Sequence, residues 1–268
     1  MANNISLPLR DKKTHKGQNG RVLIIGGNEI FHGAPALAGL GAEKTGADLL
    51  FLFVPPKHAT VVRSASLNFI VQEFAGNFLS VKDVPRIVKE SEHCDVLLIG
   101  NGLGTMSDSR QALVKILTQV QIPVVVDADG LIPEILKVKR NIPMILTPHD
   151  REFERVFEVS ATEKNVQAMA HKQHCFILKK GPIDLIAGPK KEWHENKTGT
   201  PEMTVGGSGD ALAGIIAGLV GQHLKPFEVL KTATFLWGKC GEFLCQKQCV
   251  LTAEDLVHVF PEVAKQYL

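Results

Sequence analysis

Short apolar runs recur along the chain at 21–25, 49–54, 96–99, 124–126, 144–146 and 175–178, and Gly, Pro or polar residues stand at their ends. Their length and their content of Val, Ile, Leu and Phe predict strands buried on both faces. Between them, residues 34–45, 107–120 and 162–172 repeat apolar positions at helical spacing. Strand then helix, repeated, predicts an α/β fold with a mainly parallel central sheet and helices on both faces. From Gly207 onward the pattern holds only helices, at 211–220, 227–246 and 252–265, with stops at Pro226 and at Val250-Leu251. This all-helical C-terminal part is expected to pack on one face of the sheet. No Gly-, Ser- or Pro-rich linker, repeat or low-complexity tract divides the chain, so residues 1–268 are expected to form one domain.

In an open parallel sheet, ligands bind beyond the carboxyl ends of the strands. Polar and glycine-rich segments follow the predicted strands at 26–28, 100–105, 127–130, 147–152 and 179–181. All five fall on one rim, which is where chemistry is expected.

Composition narrows the partners. Apolar residues make up 44% of the chain, enough for a large core, and 30 Lys and Arg against 28 Asp and Glu leave a net charge of +2. That balance gives no general attraction to nucleic acid or to an anionic membrane. No apolar run reaches the length of a membrane span, and residues 1–16 lack the hydrophobic centre of a signal peptide, so a cytoplasmic location is expected. The five cysteines, Cys94, Cys175, Cys240, Cys245 and Cys249, form an odd set without a CxxC pair. Cys245 and Cys249 would share a helix face near Cys240, which poses a metal or redox role against the ordinary one of buried packing.

The most informative segment is NKTGTPEMTVGGSGDALAG at 196–214. Gly206, Gly207 and Gly209 surround Ser208 just before a strongly helical run, so the Gly207, Ser208 and Gly209 amides can point at one anion at a helix N-terminus. Asp210 stands in the first turn of that helix. There the positive end of the dipole favours an ionised carboxylate, suited to act as a base beside a bound phosphate or simply to cap the helix.

GGSGD followed by a small-residue helix resembles the anion-hole motif of ribokinase-like enzymes. Within that superfamily the chain is most similar to the ADP/ATP-dependent NAD(P)H-hydrate dehydratases. Lys16-Gly17, Gly20, VLIIGG at 22–27 and Gly33-Ala34 resemble that family's opening, DADGL at 127–131 and LTPH at 146–149 with Glu152 and Phe153 its middle, and Lys180-Gly181 with NKTGT…MTVGGSGD its nucleotide half.

The resemblance implies a ribokinase-like fold and removal of water from (S)-NADH or NADPH hydrate, driven by ADP or ATP with Mg2+. It implies Asp210 as catalytic base and Gly207, Ser208 and Gly209 as the anion hole. Ala34, Pro35, Gly102, His149 and Asp210 would meet the hydrated nicotinamide substrate. Lys180, Gly181, Pro182, Ile183, Asp184 and Gly209 would meet the nucleotide. Asp127, directly after a strand, is the candidate for holding magnesium through water, alone or with Asp129 beside it; either also suits a helix cap. The small residues at 34–42 would let a helix approach a dinucleotide or a packing neighbour closely. A homo-oligomer is expected.

The chain departs from the family pattern in three places. The usual GPGLG reads Gly100-Asn101-Gly102-Leu103-Gly104, LTPHPGEF reads LTPHDREF, and Asp184 stands where a Thr is expected. These bear on the finer nucleotide contacts. Three rivals compete with this function: a small-molecule kinase of the same fold, a non-catalytic nucleotide sensor, and an NAD-binding oxidoreductase. The last would use Gly100, Gly102 and Gly104 as its fingerprint, but Thr105 occupies the position that wants Gly or Ala.

Overall fold

The computed structural model describes residues 7, 8, 10–247 and 250–268. Cys249, one of the cysteines noted above, lies outside the described residues, as do residues 1–6 and 9 of the N-terminal stretch.

Nine strands form one sheet in the order β3-β2-β1-β4-β5-β6-β7-β8-β9. The first seven, β1 (Arg21–Ile25), β2 (Leu49–Val54), β3 (Phe69–Glu73), β4 (Val96–Ile99), β5 (Val124–Val126), β6 (Met144–Leu146) and β7 (Phe176–Lys179), run parallel. β8 (Asp184–Ala187) and β9 (Trp193–Asn196) close the far edge as an antiparallel pair. The predicted strands at 21–25 through 144–146 coincide with β1, β2, β4, β5 and β6, and the one at 175–178 with β7 shifted by one residue. β3, β8 and β9 were not anticipated. The strand order reverses between β1 and β4, the switch point at which sheets of this kind open a crevice.

Alternation along the strands feeds two cores. Val22, Ile24, Leu98, Val125, Ile145 and Leu178 face one side, with helices α1 (Gly33–Lys44), α2 (Pro56–Ala65), α7 (Ser208–Gly221), α8 (Pro226–Cys245) and α9 (Ala253–Lys265). Leu23, Ile25, Leu97, Ile99, Val124 and Leu146 face the other, with α3 (Val84–Ser91), α4 (Ser107–Gln119), α5 (Asp150–Phe157) and α6 (Glu163–Gln173). The helical C-terminal part therefore packs on one face, as the sequence predicts. No helix among the described residues is long and apolar enough to cross a membrane.

α7 is the central helix of its layer. Every residue from Ala211 to Gly221 is buried, which explains a sequence apolar on all sides. It lies against α1 backbone to backbone: a Cβ added to Gly214 would land on the Ala38 carbonyl, and one added to Gly41 on the Ala211 carbonyl. The small residues of α1 thus serve packing against α7, and this contact fixes where the N-terminus of α7 meets the strand ends.

Replacing Gly214 with Ala should destabilise the protein by about 1–3 kcal/mol, as overpacking of a filled interior does. Chemical denaturation measures it; an unchanged midpoint would mean that the two helices can separate freely.

Candidate active site

The carboxyl ends of β4, β5, β6 and β7 and the first turn of α7 converge on one polar network. Gly207 caps α7 with φ +87°, a left-handed conformation that suits glycine, and so turns the chain sharply into the helix. Asp210 follows in the first turn. Its Oδ1 accepts a hydrogen bond from Asn101 Nδ2 at 2.7 Å, and the same Nδ2 donates to Asp127 Oδ2 at 3.0 Å. Asp127 Oδ1 in turn accepts from Lys180 Nζ and from the Thr147 hydroxyl, both at 2.7 Å. Asn101, Asp127 and Thr147 are almost wholly buried.

Charge in this enclosure is unevenly matched. Burial disfavours an ionised Lys180, but the Asp127 and Glu152 carboxylates outweigh that and hold its ammonium above its ordinary pKa. Burial pushes Glu152 upward. Burial also raises Asp210 to about 6, against the Asn101 hydrogen bond and the Lys180 charge, with Asp127 and Asp129 adding repulsion. A carboxyl group poised near neutrality beside a helix N-terminus is equipped to take a proton and then release it.

The predicted residues fall into place unequally. Lys180 and Gly209 come together: a Cβ on Gly209 would lie 3.3 Å from Lys180 Nζ. Gly102 touches Ala34, and Gly26 touches Pro35, so the segments after β1 and β4 line the switch point side by side. Gly207, Ser208 and Gly209 are partly exposed at the start of α7, but the Ser208 N–H is turned back to the Val205 carbonyl at 3.3 Å. The amides of Gly207 and Gly209 are the better anion donors.

His149 caps α5. Its Nδ1 accepts from the Arg151 and Glu152 amides at 3.1 and 3.3 Å, which leaves Nε2 as the protonated nitrogen, 3.5 Å from Glu152 Oε1. It also forms a backbone bridge with Lys180. Gly181, Pro182 and Ile183 are exposed in the β7–β8 turn. The oxygens of Asp184 accept from Gly181 N at 3.1 Å and Asn196 Nδ2 at 3.0 Å. Its carboxyl ties the hairpin together, and burial raises its pKa.

Asp127, the candidate for holding magnesium through water, accepts hydrogen bonds from Lys180 and Thr147 on Oδ1 and from Asn101 on Oδ2, which leaves one acceptor position on Oδ2. Asp129 accepts from the Gly104 amide at 2.8 Å. No group of three His, Cys, Asp or Glu side chains suited to a metal exists among the described residues. These residues do not fit an all-protein magnesium cage; an ion carried on nucleotide phosphates would need none. The described cysteines show no ligand cluster either, and burial raises the Cys94, Cys175 and Cys240 thiols.

Asn101, Thr147 and Glu152 were not singled out as site residues from the sequence. The usable signal for Asn101 was a polar residue between Gly100 and Gly102 directly after an all-apolar strand.

A family model described as NAD(P)H-hydrate dehydratase matches residues 22–262. A protein of Nitrosopumilus maritimus named ADP-dependent (S)-NAD(P)H-hydrate dehydratase is 35% identical over 97% of this chain and 94% of its own length. A bifunctional NAD(P)H-hydrate repair enzyme of Hyperthermus butylicus is 37% identical over 94% of this chain. The chain spans about half the length of that relative and of the similar bifunctional enzyme of Methanothermobacter thermautotrophicus. Among solved structures, the ADP/ATP-dependent NAD(P)H-hydrate dehydratase of Bacillus subtilis, co-crystallised with ATP and Mg2+, superimposes with a TM-score of 0.86. It shares 28% identity, over 98% of this chain and 95% of that one. The ribokinase-like fold expected from the sequence is the fold found.

Asp210→Asn should raise stability at pH 8. The folded pKa lies above the unfolded value, so ionisation costs stability as pH rises from about 4 to about 6 and the cost persists above that. At about 1.4 kcal/mol per pKa unit the gain is on the order of 3 kcal/mol, vanishing below about pH 4. Denaturation at pH 4 and pH 8 measures it; an equal effect at both would refute the burial of an ionised carboxylate.

Proposed function

Because the chain belongs to the NAD(P)H-hydrate dehydratase family, we propose that it removes water from the hydrated nicotinamide ring of (S)-NADH or NADPH hydrate, using ADP or ATP as phosphoryl donor. The observation that carries this reading is Asp210: a carboxylate at the N-terminus of α7, raised to about 6, with the Lys180 ammonium beside Gly209 close by.

Hydroxide is a poor leaving group and phosphate a good one. Asp210 would accept the proton of the ring hydroxyl as its oxygen attacks the terminal phosphorus of the nucleotide, releasing AMP from ADP or ADP from ATP. Phosphate would then leave with the electron pair of the carbon–oxygen bond as the ring nitrogen's lone pair forms an iminium, and loss of a proton from the neighbouring ring carbon to the departing phosphate would restore the reduced nicotinamide. The protein's contribution is positioning and charge compensation. The Gly207 and Gly209 amides and the Lys180 ammonium would face the transferred phosphoryl group. The segments at Ala34-Pro35 and Gly102 would hold the dinucleotide at the switch point, with His149 Nε2 offering a hydrogen bond from the β6 side. Magnesium would arrive on the nucleotide and carries no assigned step.

Asp210→Asn should reduce turnover by about 10²–10⁴-fold while leaving nucleotide binding within a few-fold of the unsubstituted protein. In the unsubstituted protein kcat/KM should fall as pH drops through about 6, since the base must be ionised. The assay is recovery of reduced-nicotinamide absorbance from hydrated NADH with ADP or ATP and Mg2+. No recovery with either donor, together with phosphorylation of another alcohol, would replace this function with that of a small-molecule kinase.

A further inference from the structure

Asn101 lies between Gly100 and Gly102 directly after β4, and the proposed reaction gives it no part. Its side chain nevertheless donates a hydrogen bond to the Asp210 carboxylate. The residue is wholly buried. Its carboxamide nitrogen has two N–H groups, and each finds a carboxylate oxygen: Asp210 Oδ1 at 2.7 Å and Asp127 Oδ2 at 3.0 Å. Its carbonyl oxygen Oδ1 is buried and has no hydrogen-bond partner. Flipping the amide would set that oxygen against two carboxylates and lose both bonds, so the two acids dictate the orientation and an orphaned acceptor is the cost.

The loop itself does not need this side chain. The backbone carbonyl of Asn101 accepts from Gly27 N at 2.8 Å, which ties the β4 loop to the β1 loop whatever residue stands at this position.

We propose that Asn101 is the positioning residue for Asp210, bridging it to the Asp127–Lys180 ion pair so that one carboxylate oxygen is held and the other is left to take the substrate proton. This rests on the reading of Asp210 as base. The bridge joins α7 to the fixed charges at the strand ends of the sheet. It also keeps two nearby acids apart by inserting a donor between them. The charged groups that act on Asp210 are Asp127 at the end of β5, Asp129 in the turn after it, and Lys180 at the end of β7. Only the last of these favours ionisation. Loss of the Asn101 donors therefore moves Asp210 toward the protonated form.

Two variants test this, because a buried site tolerates change unpredictably. Asn101→Leu keeps the branched heavy-atom outline and keeps the site dry; Asn101→Ala leaves room for water. In whichever folds, by circular dichroism and thermal melting, the Asp210 carboxyl is followed by carbon NMR from pH 4 to 9, assigned through Asp210→Asn. The expected result is an upward shift of about one unit or more, larger for Leu than for Ala. The acid limb of kcat/KM for hydrate conversion should move with it, while the KM for ADP stays within about twofold. An unmoved carboxyl midpoint, or a loss of turnover with the acid limb in place, would overturn the proposal. If the unsubstituted protein converts no hydrate, the function proposed above falls, and the carboxyl titration still decides the role of Asn101.

Discussion

Three carboxylates, Asp127, Glu152 and Asp210, lie within electrostatic reach of one buried ammonium, Lys180. A single cation cannot neutralise three anions in a poorly solvated space, so the remaining charge must be handled by hydrogen bonds, by proton uptake, or by a ligand. The structure uses the first for Asp127, whose two oxygens accept three hydrogen bonds, from Lys180, Thr147 and Asn101. It leaves Asp210 with one strong hydrogen bond and a raised pKa. The imbalance makes Asp127 a fixed strut and Asp210 a responsive acid, although both are aspartates a few side chains apart.

That division of labour depends on where the backbone ends. Asn101, Asp127, Thr147 and Lys180 each stand just past the final residue of a neighbouring parallel strand, so the sheet register sets their spacing. Asp210 comes from a helix on one face. Its placement relies on the direct contact of α7 with α1, and α1 also carries Ala34 and Pro35 beside Gly102 and Gly26. The same packing contact thus places the acid and the opposite wall of the crevice.

The parts legible in the sequence were those governed by local rules. Strands buried on both faces announce themselves as unbroken apolar runs, and β1, β2, β4, β5 and β6 appeared with their observed bounds. β3 and β9 are edge strands whose residues are mostly half-exposed, so no apolar run marks them. Asp210 was visible because glycines before a helix carry a physical signature. Asn101 was visible only as a departure, since its partners lie 26 and 109 residues away and no spacing rule connects them. The partners of Asp127 and Asp184 were hidden for the same reason: which distant donors reach a carboxylate is set by the fold and not by spacing.

The backbone contact between α1 and α7 has a consequence for how this chain can vary. When two side chains crowd each other, a larger residue on one helix can be offset by a smaller one opposite. At Gly214 and Gly41 the opposing atoms are the carbonyls of Ala38 and Ala211, which every residue type possesses. No single exchange on the facing helix can make room. These positions are closed to compensatory drift, and the distance between the two walls of the crevice is held by the polypeptide itself.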